Sequence, residues 1–204
     1  MNKDESTEIR IKEAARKLFQ EKGFDAVRTR EIAEAAGINS ALLHYYFRTK
    51  EKLFHIIMVE SINEMFSFLR QLIYDETLSL SEKIDLIVNG YIDVIKANPN
   101  VALFVLNELH SNSEQIIKES GIEKNMLVGS SLFAQIQQQL KKESIQMSPL
   151  HIMLNTISLS VMPVIARPLI VYLYDMKVGN ISDFLEERRK LIPVWIKGML
   201  HLNE

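Results

Sequence analysis

The sequence predicts an all-α protein: an N-terminal three-helix helix-turn-helix domain over 1–48, then a C-terminal helical domain over 49–204. Three observations carry this. Apolar residues recur at helical spacing through nearly every segment. No segment alternates apolar and polar residues as a strand would, and there is no internal repeat. The stretch VRTREIAEAAGINSALLHYYFRTK, 27–50, reads as two very short helices joined by a single glycine.

The first helix is expected over 6–22, where Ile11, Ala14, Ala15, Leu18 and Phe19 form one apolar stripe. Gly23 stands where a left-handed C-terminal cap belongs, and Phe24 can fold back onto the stripe. In the next pair, Ile32, Ala33 and Ala36 give one apolar side and Gly37 supplies the backbone freedom for a sharp turn. Ile38 plugs that turn, and either Asn39 or Ser40 caps a helix ending near Phe47. A helix of that length is unstable alone and must be held by its neighbours. Short, supported, and carrying polar and aromatic side chains outward, it has the form that major-groove readout requires.

Beyond it, Thr49 caps a continuous helix of more than twenty residues through Leu53, Ile57, Ile62, Phe66, Leu69 and Ile73. Ser79 and Glu82 form a capping box for the helix through Ile84, Ile87, Val88, Tyr91 and Ile95. Asn98–Pro99 starts another, whose residues 101–106 are apolar on all sides and expected to be buried all round. Ser111 and Glu114 make a second box before a longer polar helical segment reaching Lys142, and Ser148–Pro149 repeats the cap-then-proline start. The apolar segment 150–174 contains Asn155, Pro163, Arg167 and Pro168, which favours a buried or subunit-facing helix over a membrane span. Both prolines are expected to bend or break it. Asn180 or Ser182 opens a last helix with Leu185, Ile192 and Met199 every seven residues. Trp195 and Leu202 stand beside them, Glu186 and Lys190 lie on the opposite face, and Pro193 is expected to kink it. Together with Ile157 and Val161 of the preceding segment, this stripe offers the apolar surface for a two-fold, four-helix contact.

Composition sets bounds. Apolar residues make up 47% of 204 residues, and the absence of cysteine excludes disulfides, Cys-ligated zinc and thiol nucleophiles. The charged, amphipathic start is not a signal peptide, so a cytoplasmic location is expected. The formal net charge is −2, but residues 1–50 carry 10 Lys/Arg against 8 Asp/Glu, a net of +2. From Ala35 to Phe47 there is no charged side chain, while Arg28, Arg30, Arg48 and Lys50 flank that window. A neutral reading surface between cations suits docking on phosphates. No H-E-x-x-H, G-x-S-x-G, P-loop or dinucleotide fingerprint occurs, and the five histidines are dispersed. Neither an enzyme, a bound metal nor a cofactor is expected. A helical small-molecule-binding or scaffold protein without DNA contact is the alternative.

The run TREIAEAAGINSALLHYYFRTKEKLF resembles the DNA-binding signature of the TetR (tetracycline-repressor) family of bacterial regulators. The order of parts matches too: a buttress helix ending in Gly-Phe, the helix-turn-helix, then a Lys-bearing linker helix. The resemblance covers roughly residues 6–55. It implies a homodimeric, ligand-responsive transcriptional regulator, most simply a repressor. Its two recognition helices would enter successive major grooves of a palindromic operator, about 34–36 Å apart. A small-molecule effector in the C-terminal ligand-binding and dimerisation domain would alter that spacing.

Carried onto this sequence, the motif makes Arg28, Thr29 and Arg30 phosphate contacts at a helix start. Ser40, Ala41 and His44 face the groove, with Asn39 at its edge, and Tyr45, Tyr46 and Lys50 reach phosphate. Arg28 replaces the family's usual Ser or Thr, Ser40 a frequent basic residue, and His44 a common Tyr. Competing readings are a purely structural cap at Thr29, Arg30 reaching a base instead of a phosphate, a solvent-facing helix end at His44, one tyrosine packed on the first helix, and a merely solvated Lys50. The candidate pocket residues are Phe66, Tyr91, Phe104, Asn107, His110, Met126, Phe133, Asn155 and Met162. The expected subunit contact uses Ile157, Val161, Leu185, Ile192, Trp195 and Met199.

Overall fold

A computed structural model describes residues 3–97, 99–111, 113–174 and 180–202. They form eleven helices and no strand. In chain order these are α1 (Lys3–Lys22), α2 (Thr29–Ala35), α3 (Ser40–Phe47), α4 (Lys50–Tyr74), α5 (Leu80–Ala97), α6 (Val101–Ser111), α7 (Ser113–Glu119), α8 (Ser131–Lys142), α9 (Pro149–Ile165), α10 (Arg167–Tyr174) and α11 (Asn180–Met199). The fold is all-α, an N-terminal helix-turn-helix domain followed by a C-terminal helical domain. The chain resolves into two compact units, residues 1–63 with 103–121, and residues 64–102 with 122–204.

In the first unit Ile11, Ala15 and Phe19 of α1 are buried with Leu43 and Phe47 of α3 and Leu53, Ile57, Met58 and Ile62 of α4. Gly23 takes φ +81 and donates to the Phe19 carbonyl, ending α1. That turn returns Phe24 onto Phe19 and Phe54, with ring centroids 6.0 and 4.6 Å away. Lys12 and Arg16 of α1 reach the two oxygens of Glu60 on α4 at 2.8 and 2.9 Å. Phe104 of α6 meets Phe54 edge-on, and Glu119 of α7 pairs with His55 of α4.

The second unit packs α5, α8, α9, α10 and α11 with the end of α4. Its core includes Ile84, Val88, Tyr91 and Ile92 of α5, Ile136 of α8, Ile152 of α9, Leu185, Ile192 and Ile196 of α11, and Leu200 just beyond it. The Ser79–Glu82 box is complete: the Ser79 N–H donates to Glu82 at 2.8 Å, and the Glu82 N–H donates to the Ser79 hydroxyl at 3.3 Å. Lys83, wholly buried, donates to the Ser131 hydroxyl at 2.6 Å, and burial depresses its pKa against the pull of Asp75 and Glu76.

Pro163 sits inside α9 without breaking it; the chain instead turns by 66° at Ala166, ahead of Pro168. The reason Pro163 is tolerated lies on α11. A proline at position 163 leaves the carbonyl of Leu159 without its helical donor, and the Arg188 guanidinium supplies two N–H groups to it at 2.8 and 3.2 Å. Arg188 also lies over the rings of Phe184 and Trp195. No single described helix is long and apolar enough to cross a membrane.

Four expectations are corrected. Residues 113–142 are not one helical segment: α7 and α8 are separated by a turn-rich stretch with Gly121 and Asn125 at positive φ. The side chain of Ser111, like the cap at Asn98, lies outside the described residues. Helix α6 is not buried all round, because Val101, Phe104 and Val105 turn inward and leave Leu103 and Leu106 exposed. Glu186 pairs not with Lys190 but with Lys96 of α5 and Arg189, at 2.5 and 2.9 Å. Finally, Leu185, Ile192 and Val161 are buried in the chain's own core. A side chain with no surface left cannot line a subunit contact. On α11 the exposed apolar residues are instead Leu191, Val194, Trp195 and Met199.

Candidate nucleic-acid interface and ligand cavity

Local backbone chemistry fixes the short helices. At the end of α2 the Ile38 N–H donates to Ala33 and the Gly37 N–H to Glu34, at 3.0 and 3.1 Å. Those two bonds are the Schellman arrangement, and they need a left-handed residue, which Gly37 provides at φ +67. Two residues later the Asn39 side-chain oxygen accepts the Leu42 N–H at 2.8 Å. The cap of α3 is therefore Asn39, with Ser40 as first helical residue. At the start of α2 the cap position is Arg28, whose guanidinium has no acceptor to offer. The Glu31 carboxylate instead accepts the Arg28 N–H at 2.8 Å. Lys22, and then that N–H, hold the Glu31 carboxyl below its ordinary range.

With Leu43 and Phe47 buried, the opposite side of α3 is open: Ser40, Ala41, His44 and Tyr45 are all exposed, Tyr45 at 70%. Arg28, Thr29 and Arg30 are exposed at the start of α2, with Arg30 paired to Glu34 at 2.8 Å. Arg48 closes α3 at φ 65, its N–H on the His44 carbonyl. Leu42 and Tyr46 are half-buried, and the Tyr45 and Tyr46 rings meet edge-on at 5.5 Å.

Lys50 is the exception among the residues expected on phosphate. Its ammonium donates to the carbonyls of Phe24 and Val27 at 2.9 and 3.0 Å and lies 4.1 Å above the Phe24 ring. It is neither simply solvated nor freely available, but ties the first turn of α4 to the α1–α2 connection. No local sequence pattern signals a contact made 23 and 26 residues back along the chain.

The second unit holds a cavity of about 490 Å³, within the usual range for one small molecule. Its wall brings together Phe66, Met126 and Phe133 from the expected pocket set, with Ile157 from the expected subunit contact. Tyr91, Asn155 and Met162 are not in that wall: Tyr91 is packed in the core, Asn155 donates to the Met199 sulfur, and Met162 is exposed. Phe104, Asn107 and His110 belong to the first unit and line no part of it. Apart from Met126, sequence reading missed the stretch 122–128, which supplies half of the wall; Gly121 and Gly129 on either side were the available turn signals.

Comparison with known proteins meets this geometry. Residues 11–57 match the family model described as bacterial regulatory proteins, tetR family. The chain is 42% identical over 55 residues to the probable HTH-type transcriptional regulator YttP of Bacillus subtilis, a match spanning 27% of either protein. Among solved structures it resembles Salmonella enterica GusR, with TM-score 0.64, 18% identity and 98% of both chains covered. It also resembles the regulator FadR of Bacillus subtilis in complex with stearoyl-CoA, with TM-score 0.58, 15% identity, 90% of this chain and 96% of that one. These two likenesses establish the fold. The N-terminal domain is of the helix-turn-helix class. The match to the tetR family is carried by the N-terminal domain, residues 11–57.

Proposed function

We propose that the protein is a ligand-responsive transcriptional regulator, acting as a repressor, that binds a palindromic operator as a homodimer. The observation that carries the reading is the face of α3: four exposed, uncharged residues, Ser40, Ala41, His44 and Tyr45, with the cations Arg28, Arg30 and Arg48 around them. Ser40, Ala41 and His44 take the base-reading positions, with Asn39 at the groove edge. Arg28, Thr29, Arg30, Tyr45 and Tyr46 take phosphates. Lys50, with two of its three donors already committed, serves mainly to hold α4 against the helix-turn-helix, leaving one N–H for a phosphate. Trp195 and Met199 of α11, with Leu154 and Met162 of α9, form the subunit contact; all four are exposed in the single chain. The cavity takes the effector, a reading supported by the solved neighbour whose complex holds stearoyl-CoA.

The test is retardation of duplexes selected from a random pool and of the DNA upstream of the protein's own coding sequence. Binding is expected to weaken steeply with salt, because each phosphate contact releases counterions. Arg30→Ala should weaken every duplex alike and lower the salt slope by about 1, whereas His44→Ala should alter preference at one base by about 1–3 kcal/mol. No retarded duplex at low salt would overturn the reading and leave a ligand-binding helical protein.

A further inference from the structure

The chemistry of the cavity wall selects a ligand class, and this inference rests on the ligand-responsive reading above. The main chamber adjoins a narrow slot that shares Leu69, Leu127 and Ile157 with it and runs between α5, α8 and α9. The slot is lined by Ile84, Ile87, Ile136, Ile152 and Met153, and its one polar side chain, Thr156, already donates to the Ile152 carbonyl at 2.8 Å. At about 20 Å³ the slot is too small for a guest's tail, which must lie in the chamber against Phe66, Leu69, Met126, Leu127, Phe133 and Ile157, where a polar group loses its water without compensation. Hydrocarbon alone fits.

The mouth is different. Ser148 accepts the Leu150 N–H on its hydroxyl oxygen and brings no charge to the mouth. Glu123 and Asn125 remain, both exposed, and the Glu123 carboxylate has no ion pair or hydrogen bond among the described residues. The walls of chamber and slot contain no lysine, arginine or histidine; Lys124 is next in sequence but outside the wall. The single charge facing a guest is negative.

We propose that the cavity binds a cationic amphiphile, its alkyl or aryl-alkyl tail in the apolar chamber and its positive head at Glu123. The test uses three probes of one chain length, decyltrimethylammonium, decanol and decanoate, each titrated calorimetrically below its micelle concentration into the full-length, DNA-free protein. The ammonium should bind about tenfold more tightly than decanoate, since a unit charge at 4 Å is worth about 1 kcal/mol even in water and the two heads differ in sign. Glu123→Gln should remove that preference and leave decanol unchanged, and Glu123→Lys should reverse it; both substitutions are at an exposed side chain. Ile157→Trp, filling part of the chamber, should weaken all three probes while the thermal transition persists.

Equal binding of ammonium and decanoate, a preference that survives Glu123→Lys, or no binding by any probe would overturn the proposal. None of those outcomes touches operator retardation, which is measured without ligand. Conversely, ammonium binding that leaves operator affinity unchanged would uphold the ligand class and overturn ligand-responsive regulation.

Discussion

The two units of this protein are held together by bonds of different reach. In the first, the devices that fix the helix-turn-helix are local: Gly37 to Glu34, Ile38 to Ala33, Leu42 to Asn39, Arg28 to Glu31. In the second, the decisive partners lie far apart in the chain. Arg189 reaches Asp93 and the carbonyl of Asn89, Lys197 reaches Asp85, and Arg188 reaches Leu159. The contrast teaches that orientation of a short reading helix is set by turn chemistry a few residues long. A ligand-holding helical core instead depends on which face of each helix finds its distant neighbour.

If that contrast is right, the largest losses come from the long-range side. Ile192 is fully buried in the second unit, so Ile192→Ala should cost about 2–5 kcal/mol in urea unfolding. Trp195→Ala, three residues on and partly exposed, should cost monomer stability only about 1 kcal/mol, through the contact of Arg188 with its ring. Its main effect should appear as a weaker dimer in sedimentation. Comparable losses from both would mean that the inward face of α11 has been misassigned.

A smaller effect isolates one long-range bond. Arg188→Met should cost about 1–3 kcal/mol, the penalty of a partly buried carbonyl left without a donor. In a Pro163→Ala background a helical N–H is restored to Leu159, and the cost of Arg188→Met should fall by about 1 kcal/mol or more. Unchanged costs in the two backgrounds would show that Arg188 acts through its rings alone, over Phe184 and Trp195. On the local side, Asn39→Ala should cost about 1 kcal/mol by loss of the cap. Gly37→Ala should cost about 1–2 kcal/mol because alanine resists a positive φ, although nothing lies within 4 Å of the added carbon.

The same difference of reach governs what could be read from residues alone. Gly23, Gly37, the Ser79–Glu82 box and the Ser148–Pro149 start announce themselves within four positions, and each is where the spacing puts it. The open side of α3 follows from Leu43 and Phe47 by periodicity. The phase of α11 does not: it has apolar residues on two sides, Leu185, Ile192 and Ile196 on one and Leu191, Trp195 and Met199 on the other. Only the neighbours α5 and α9 decide which side turns in. Lys50 was legible as a cation but not as a brace, since its partners, Phe24 and Val27, are carbonyls that every residue possesses. The cavity wall at 122–128, Met126 apart, was hidden by reading a polar segment across the glycines on either side of it.

Acid titration gives the smallest and most discriminating effect. The carboxyls of Glu31 and Glu82 are held below their ordinary value of 4.5, Glu31 chiefly by Lys22 and Glu82 chiefly by the Ser79 hydroxyl. A carboxyl whose folded pKa is depressed contributes stability that is present above its unfolded pKa and is lost as pH falls through the folded value. Both contributions should therefore be intact at pH 6 and decline below about pH 4.5. Both groups are at the surface, so the losses are small, but they differ in kind. The Lys22–Glu31 pair is a charge interaction and should shrink when salt is raised to 0.5 M at pH 6, whereas the Ser79–Glu82 bond, to a hydroxyl and an N–H, should shrink less. Urea midpoints of Glu31→Gln and Glu82→Gln against the parent, at two salts and at pH 6 and 3.5, separate the two. Equal salt sensitivity would show that Glu31 works through the Arg28 N–H rather than through Lys22, making the start of α2 wholly a matter of backbone chemistry.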